Sequence, residues 1–252
     1  MSPTDGQPTA VIGVDIGGTG IKGATADLQT GELASERVRL DTPQPATPDS
    51  VADTVHQVIE QIGVAGPVGL TLPAVIRSDI VETASNIDEA WIGVNAVSLF
   101  GSMTDREVAV VNDADAAGMA EVRYGAGKGV AGVVVVITLG TGIGSALFVD
   151  GTLVPNTELG HLHLHGGDAE DWAAESIREH DELSWKEWGH RLQRYLEQIE
   201  RVLWPQLIII GGGVSKKSDK FFPHINLSTK MVPATLHNDA GIVGAAMFAP
   251  TG

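Results

Sequence analysis

The chain is predicted to be an α/β protein built as two related lobes around a central cleft. Three observations predict it. A glycine-rich turn between short apolar strands occurs twice, each turn is followed by alternating helix and strand, and no linker is long enough for independently moving domains. The first turn is Asp15-Ile16-Gly17-Gly18-Thr19-Gly20-Ile21-Lys22, after the apolar run 11–14. The second is Leu139-Gly140-Thr141-Gly142-Ile143-Gly144-Ser145, after 133–137. Glycine lets backbone N–H groups approach an anion with no Cβ in the way. The pair therefore suggests phosphate clamps on both walls of the cleft.

In the first half, 11–14, 23–27 and 33–40 are expected strands, joined by the glycine turn and Thr30-Gly31. Pro48 suits the first turn of a helix whose Val51, Val55, Val58, Ile59 and Ile62 share one face. Residues 68–72 and 108–111 resume the sheet, and an alanine-rich helix follows through Val122. In the second half, 133–139 and 146–149 flank the second turn, and Asp150-Gly151 signals a hairpin. Ser184-Trp185-Lys186-Glu187 has the form of a capping box. It opens a helix with Trp188, Leu192, Tyr195, Leu196, Ile199, Val202 and Leu203 on one stripe, ended by Pro205. A buried strand over 207–210 runs into Gly211-Gly212-Gly213, and a small-residue helix over 240–248 closes the chain. The expected division is an N-terminal lobe over 10–111, with helix 239–250 packing back onto it, and a C-terminal lobe over 112–238.

Composition narrows the class. The 252 residues are 43% hydrophobic and 19% charged, ordinary for a globular enzyme. No apolar run approaches the roughly 20 residues that span a bilayer. With no cysteine, disulfides and thiolate metal sites are excluded. The formal charge of −16 argues against nucleic acid and anionic membranes as partners. A local basic pocket still works inside an acidic shell, because screening acts over roughly 8 Å. Residues 1–9 are polar, lack a leader pattern and are expected to form a disordered tail, so a cytoplasmic location is expected.

Four motifs carry chemistry. The first turn is neither a Walker A loop nor a dinucleotide fingerprint. Its Asp15 suits a Mg²⁺ ion held through water, and Lys22 suits phosphate oxygens; an ordinary tight hairpin is the other reading. Asn112-Asp113 lies where a strand ends and a helix begins, where ligands gather in α/β proteins. Both residue types cap helices, and Asp113 also suits a base that takes a proton from a hydroxyl nucleophile. Glu158-Leu159-Gly160-His161-Leu162-His163-Leu164-His165 would set three histidines on one strand face. With no thiolate and no clear fourth ligand, zinc is not expected there. Glu158 and His161 instead suit recognition of a polyol, with Glu170 either joining them or simply opening a helix. Gly211, Gly212 and Gly213 suit either backbone contact with a nucleotide or a plain strand-to-helix turn. Lys216, Lys217 and Lys220 suit either an anion path or a solvated face.

On these motifs, taken in order, the chain resembles the ROK family of sugar kinases and repressors over nearly its whole length. The segments 85–93, 112–128, 151–161 and 240–247 are similar to its branch of polyphosphate- and ATP-dependent glucokinases and glucomannokinases. The resemblance implies an actin-like ATPase (ribonuclease H-like) fold. It also implies transfer of the terminal phosphoryl group of inorganic polyphosphate or ATP, with Mg²⁺, to the 6-hydroxyl of glucose, and in some members of mannose. Asp113 would be the base, and Asn86, Asn112, Glu158, His161 and Glu170 would join it in holding the sugar. Asp15, Gly17, Gly18, Thr19, Lys22, Gly140, Thr141, Gly142 and Gly211 to Gly213 would face the phosphate donor. Arg123, Lys128, Lys216, Lys217 and Lys220 would form a polyphosphate track. Many ROK proteins follow the Glu-x-Gly-His box with zinc-binding cysteines, which this chain lacks, so no zinc site carries over. A homodimer is expected from the family. Alternatives are an ATP-only kinase of another hexose or N-acetylhexosamine and a sugar-sensing regulator; the latter lacks its usual N-terminal DNA-reading module here.

Overall fold

The computed structural model describes residues 10–84 and 87–250. The expected tail over 1–9 and Asn86 lie outside the described residues. Backbone contacts group the chain into two compact units, 10–116 with 241–250 and 117–240.

In the first unit, β1 (Ala10–Ile16) and β2 (Gly20–Asp27) form an antiparallel hairpin that pairs Asp15 with Lys22. The strand expected over 33–40 is two strands, β3 (Glu32–Leu33) and β4 (Val38–Asp41), both paired with β2. The break falls where the Ser35 hydroxyl, rather than a ladder carbonyl, accepts the Thr25 N–H at 3.0 Å. Helix α1 (Pro48–Ile62) starts at Thr47, whose side chain accepts the Ser50 N–H, and ends at left-handed Gly63. It buries Val51, Val55, Val58 and Ile59. At roughly 1.5–3 kcal/mol per fully buried aliphatic side chain, this stripe rather than helix propensity fixes the helix on the sheet. β5 (Val68–Leu72) runs parallel to β1. A short hairpin, β6 (Ile76–Arg77) with β7 (Ile80–Val81), and helix α2 (Ala96–Thr104) lead to β8 (Val108–Asn112), parallel to β5. The sheet order is β3-β2-β1-β5-β8, with β4 also on β2. Helix α3 (Asp113–Arg123) leaves β8 without a loop and carries the chain into the second unit.

The second unit repeats the plan. β9 (Val133–Leu139) and β10 (Ile143–Val149) form the antiparallel pair around the second glycine turn, and β11 (Thr152–Val154) follows across Asp150-Gly151. Both turn residues have positive φ, as a two-residue hairpin of this hand needs. A small hairpin, β12 (His163–Leu164) with β13 (Gly167–Asp168), precedes α4 (Glu170–Ala173) and α5 (Glu175–His180). Helix α6 (Trp185–Leu203) has the capping box read from sequence and buries Trp188, Leu192, Tyr195, Leu196 and Ile199. β14 (Leu207–Gly211), α7 (Ser218–Phe221) and β15 (Lys230–Pro233) complete a sheet of order β11-β10-β9-β14-β15. Helix α8 (Ala240–Phe248) returns to the first unit. It lies so close to β1 that a Cβ on Gly13 would overlap the Ile242 carbonyl. Among the described residues no helix is long and apolar enough to cross a membrane.

Glu121, 1% exposed on α3, joins two loops of the second unit. Its carboxylate accepts the N–H groups of Ala126, Thr235 and Leu236 at 2.7–2.9 Å and the Thr235 hydroxyl at 3.1 Å. Glu121→Ala would leave these part-buried donors without their acceptor, at the low end of roughly 1–3 kcal/mol each. Urea denaturation of the variant is expected to show a loss of at least about 3 kcal/mol.

Candidate active site

At the first glycine turn, the Gly17 N–H closes the hairpin on the Gly20 carbonyl at 3.1 Å. Thr42 braces it from β4, donating its hydroxyl to the Gly17 carbonyl. Asp15 stands at the end of β1. Its Oδ1 accepts the hydroxyl of fully buried Thr71, and its Oδ2 is 3.6 Å from Lys22 Nζ. The carboxylate also lies against Gly241 in the first turn of α8, where the helix dipole favours an anion. Arg39 was not anticipated from sequence. It faces Lys22 across β2 and β4 and donates to the Thr19 carbonyl at 3.2 Å while pairing with Asp41. Only strand register brings it to the turn. Beside the turn is a cavity of about 230 Å³ lined in part by Ile16, Gly17, Thr42, Leu72 and Trp91.

Asn112 caps α3. Its Oδ1 accepts the N–H groups of Ala114 and Asp115, and its Nδ2 donates to the Ala74 carbonyl at 3.1 Å. It is buried, so its amide first serves to aim the start of the helix. Asp113 follows in the first turn, half-buried, and its Oδ1 accepts the Ala114 N–H at 2.8 Å.

In the second unit, β10 holds the Glu158 box. The Ser145 hydroxyl donates to the Thr157 carbonyl and accepts the Leu159 N–H, bracketing Glu158 on both sides. A Cβ on Gly160 would overlap the Ile143 carbonyl, so only glycine allows this approach. The N–H of the same Ile143 donates to Glu170 Oε2 at 3.0 Å. The histidines do not share a strand face, contrary to the expectation from their spacing. His161 ends a 3-10 turn, His163 is on β12, and His165 sits at positive φ in the hairpin turn, stacked on Trp172 at 4.7 Å. Gly160 and the Gly166-Gly167 pair interrupt the extended backbone that an alternating pattern requires. Among the described residues no group of three or more metal-ligating side chains converges.

His161 Nδ1 is 2.7 Å from Asp168 Oδ2, and its Nε2 is 3.9 Å from Glu158. The hydrogen bond to Asp168, followed by the charges of Glu170, Asp168 and Glu158, raises the His161 pKa against a smaller opposing effect of burial. Burial raises Glu158 above the usual carboxylate range, with Glu170 adding to the rise and His161 opposing it. When neutral, His161 gives its Nδ1–H to Asp168 and leaves Nε2 as an acceptor; when protonated it donates from both nitrogens. Asp168 was not anticipated from sequence either, because the β12–β13 hairpin brings it back from seven residues away.

The third glycine run adjoins the second turn. Gly212 has φ of 81°, and a Cβ there would collide with the Leu139 peptide. Of the expected basic track, Lys217 and Lys220 each lie 5.7 Å from the centre of the Trp185 ring. Arg123 lies over Tyr124 instead, at 6.0 Å, while Lys128 and Lys216 are exposed. Two of the five residues of the expected track thus share one aromatic ring.

Two sheets of matching order, each opened by a glycine-turned hairpin, define the actin-like ATPase fold shared by sugar kinases. The chain belongs to the ROK family, whose model matches residues 11–174. It is 50% identical over 237 residues to the polyphosphate glucokinase of Mycobacterium tuberculosis, covering 94% of this chain and 89% of that protein. The structure of inorganic polyphosphate/ATP-glucomannokinase from Arthrobacter sp. strain KM superposes with a TM-score of 0.93 at 51% identity, covering 95% of this chain and 98% of that one. A ROK glucokinase from Streptomyces griseus, solved with glucose and AMPPNP, shares the fold at a TM-score of 0.83 and 24% identity, over 96% and 100% of the two chains.

Asp168→Asn keeps an acceptor for His161 but removes the charge. A histidine NMR titration is expected to show the His161 pKa falling toward its ordinary value of about 6.5. Because the folded pKa is raised, the charge pair stabilises the fold fully below the unfolded pKa and less as pH rises through the folded one. The stability gap between wild type and Asp168→Asn, read from urea melts, is therefore expected to be widest near pH 6 and to shrink with rising pH.

Proposed function

We propose that the chain is a hexokinase-type phosphotransferase. It moves the terminal phosphoryl group of inorganic polyphosphate or ATP to the 6-hydroxyl of glucose, and of mannose as a second acceptor. The observation that carries this reading is the near full-length, half-identical match to polyphosphate glucokinases. The Glu158–His161–Asp168 arrangement supports it, pairing carboxylate acceptors with an orientable imidazole as recognition of a polyol requires.

Asp113 accepts the proton of the attacking hydroxyl, and α3, aimed by Asn112, fixes its position. Glu158 and His161 hold sugar hydroxyls, and Glu170 supports them through the Ile143 N–H. Asn112 and Asn86 complete the acceptor contacts. Gly17, Gly18 and Thr19 with Lys22, and Gly140, Thr141 and Gly142, face the donor phosphates; the N–H groups of Gly17 and Gly140 close the two turns, which leaves those of Gly18, Thr19, Thr141 and Gly142 for the donor, and Gly211 to Gly213 face an adenosine when ATP is the donor. Phosphoryl transfer asks mainly for positioning and charge stabilisation, which fits a site with one oriented carboxylate and many fixed dipoles. Asp15 is a lone carboxylate held by Thr71, which fits a Mg²⁺ ion bound largely through water and phosphate oxygens. Such an ion would neutralise donor charge. We infer a cytoplasmic homodimer from the family resemblance.

Asp113→Ala is expected to lower kcat by about two to four orders of magnitude, the usual range for losing a general base, with an unchanged circular dichroism spectrum. Purified wild type, tested with glucose, mannose and N-acetylhexosamines against ATP and polyphosphate, is expected to form glucose 6-phosphate from both donors. Activity confined to an N-acetylhexosamine, or a folded and fully active Asp113→Ala, would refute the reading.

A further inference from the structure

Three cations converge on one indole in the second unit. Arg178 lies 4.2 Å from the centre of the Trp185 ring, and Lys217 and Lys220 lie 5.7 Å from it. The ring is itself fixed, stacked on Phe221 at 6.2 Å and edge-on to Trp188 at 5.9 Å. Arg178 pairs with Glu175 and Glu179, at 3.4 and 3.1 Å. Both lysines are exposed, and neither has a carboxylate within 4.0 Å among the described residues. In a chain with twice as many acidic as basic residues, two exposed lysines at one ring, neither in an ion pair among the described residues, form a local positive feature that attracts anions.

The elements that carry these cations are locked to the second glycine turn. Arg178 is on α5, whose Ser176 donates its N–H to the Gly140 carbonyl at 3.0 Å and its hydroxyl to the Thr141 carbonyl at 2.6 Å. Lys217 and Lys220 follow the glycine run whose Gly212 packs on Leu139, at the entrance of the same turn. The turn and the cation cluster are therefore held in one fixed relation by two separate segments. ATP carries three phosphates, whereas polyphosphate continues with a charge at every further phosphate. A donor held at the glycine turn needs no second anion site if it is ATP, and benefits from one if it is a chain.

We propose that Trp185 organises Arg178, Lys217 and Lys220 into a distal anion subsite for inorganic polyphosphate, occupied by phosphates beyond those held at the second glycine turn. This rests on the reading of polyphosphate as a donor. The indole keeps the lysine side chains oriented by cation–π attraction, which leaves their ammonium hydrogens available to phosphate oxygens.

The test compares wild type with Lys217→Gln/Lys220→Gln, which removes charge from exposed positions and keeps side-chain length. The KM for long-chain polyphosphate is expected to rise at least tenfold more than the KM for ATP or tripolyphosphate. Its salt dependence is expected to become shallower, because fewer ionic contacts remain to be screened. Long-chain polyphosphate added without glucose is expected to change Trp emission in wild type, less in the double variant, and not in Trp185→Phe. Equal changes in KM for all three donors, or an unchanged polyphosphate KM with an unchanged Trp185 signal, would overturn the subsite alone. Wild type that turns over ATP but never polyphosphate would remove the donor reading, and the subsite with it.

Discussion

The second unit depends on the approach of the Glu158 box to the edge of β10. One residue, Ile143, meets Gly160 through its carbonyl and Glu170 through its N–H. Two residues on, the Ser145 hydroxyl holds the backbone on either side of Glu158. The strand that leaves the second glycine turn is thereby also the platform for the proposed sugar contacts. A shift of that strand would move the donor turn and acceptor carboxylates together. Such coupling suits a reaction in which the attacking oxygen and the transferred phosphorus must meet within a narrow range of geometry.

The electrostatics follow from the same packing. Glu158, Glu170 and Asp168 surround one imidazole, so His161 is the group that makes their proximity tolerable. Burial raises Glu158 and the neighbouring carboxylates raise His161, and each shift favours a proton within the cluster. The hydroxyl of fully buried Tyr195, beneath the cluster on α6, is pushed far above its ordinary pKa by desolvation, then by Glu170 and Glu158. It stays neutral and adds no charge to the acceptor side.

Most of the fold was legible because its signals are local. The two glycine turns, Pro48 in the first turn of its helix, the Ser184 cap and the Asp150-Gly151 hairpin each act within a few residues, and each appears where the sequence placed it. The readings that failed asked local sequence for a non-local answer. Residues 33–40 read as one strand, but a side chain at Ser35 replaces a ladder partner. The three histidines alternate, yet glycines on either side allow a 3-10 turn and a tight hairpin in place of a strand. Asp168 and Arg39 carry no motif and reach their partners only through hairpin return and cross-strand register. The meeting of Arg178, Lys217 and Lys220 was hidden for a similar reason: sequence counts charges, whereas their convergence depends on Trp185, an aromatic that reads in sequence as the first residue of a helix.

The internal repeat explains why the two glycine turns are not equivalent. Both are hairpin turns opening sheets of matching order, so topology alone would give them the same job. They differ in what braces them. The first is held by Thr42 and Arg39 from its own sheet, with Asp15 and Lys22 beside it. The second is held by Ser176 from a helix and by Gly212 from the third glycine run, elements inserted after the hairpin that continue toward the Trp185 cations. The first turn is thus closed by its own strands, and its charge is local and mixed. The second is tied to segments that carry Arg178, Lys217 and Lys220 to one indole ring. On the proposed reading, a difference between a short and a long phosphate donor would therefore originate at the second turn, where the bracing segments themselves lead to that cluster.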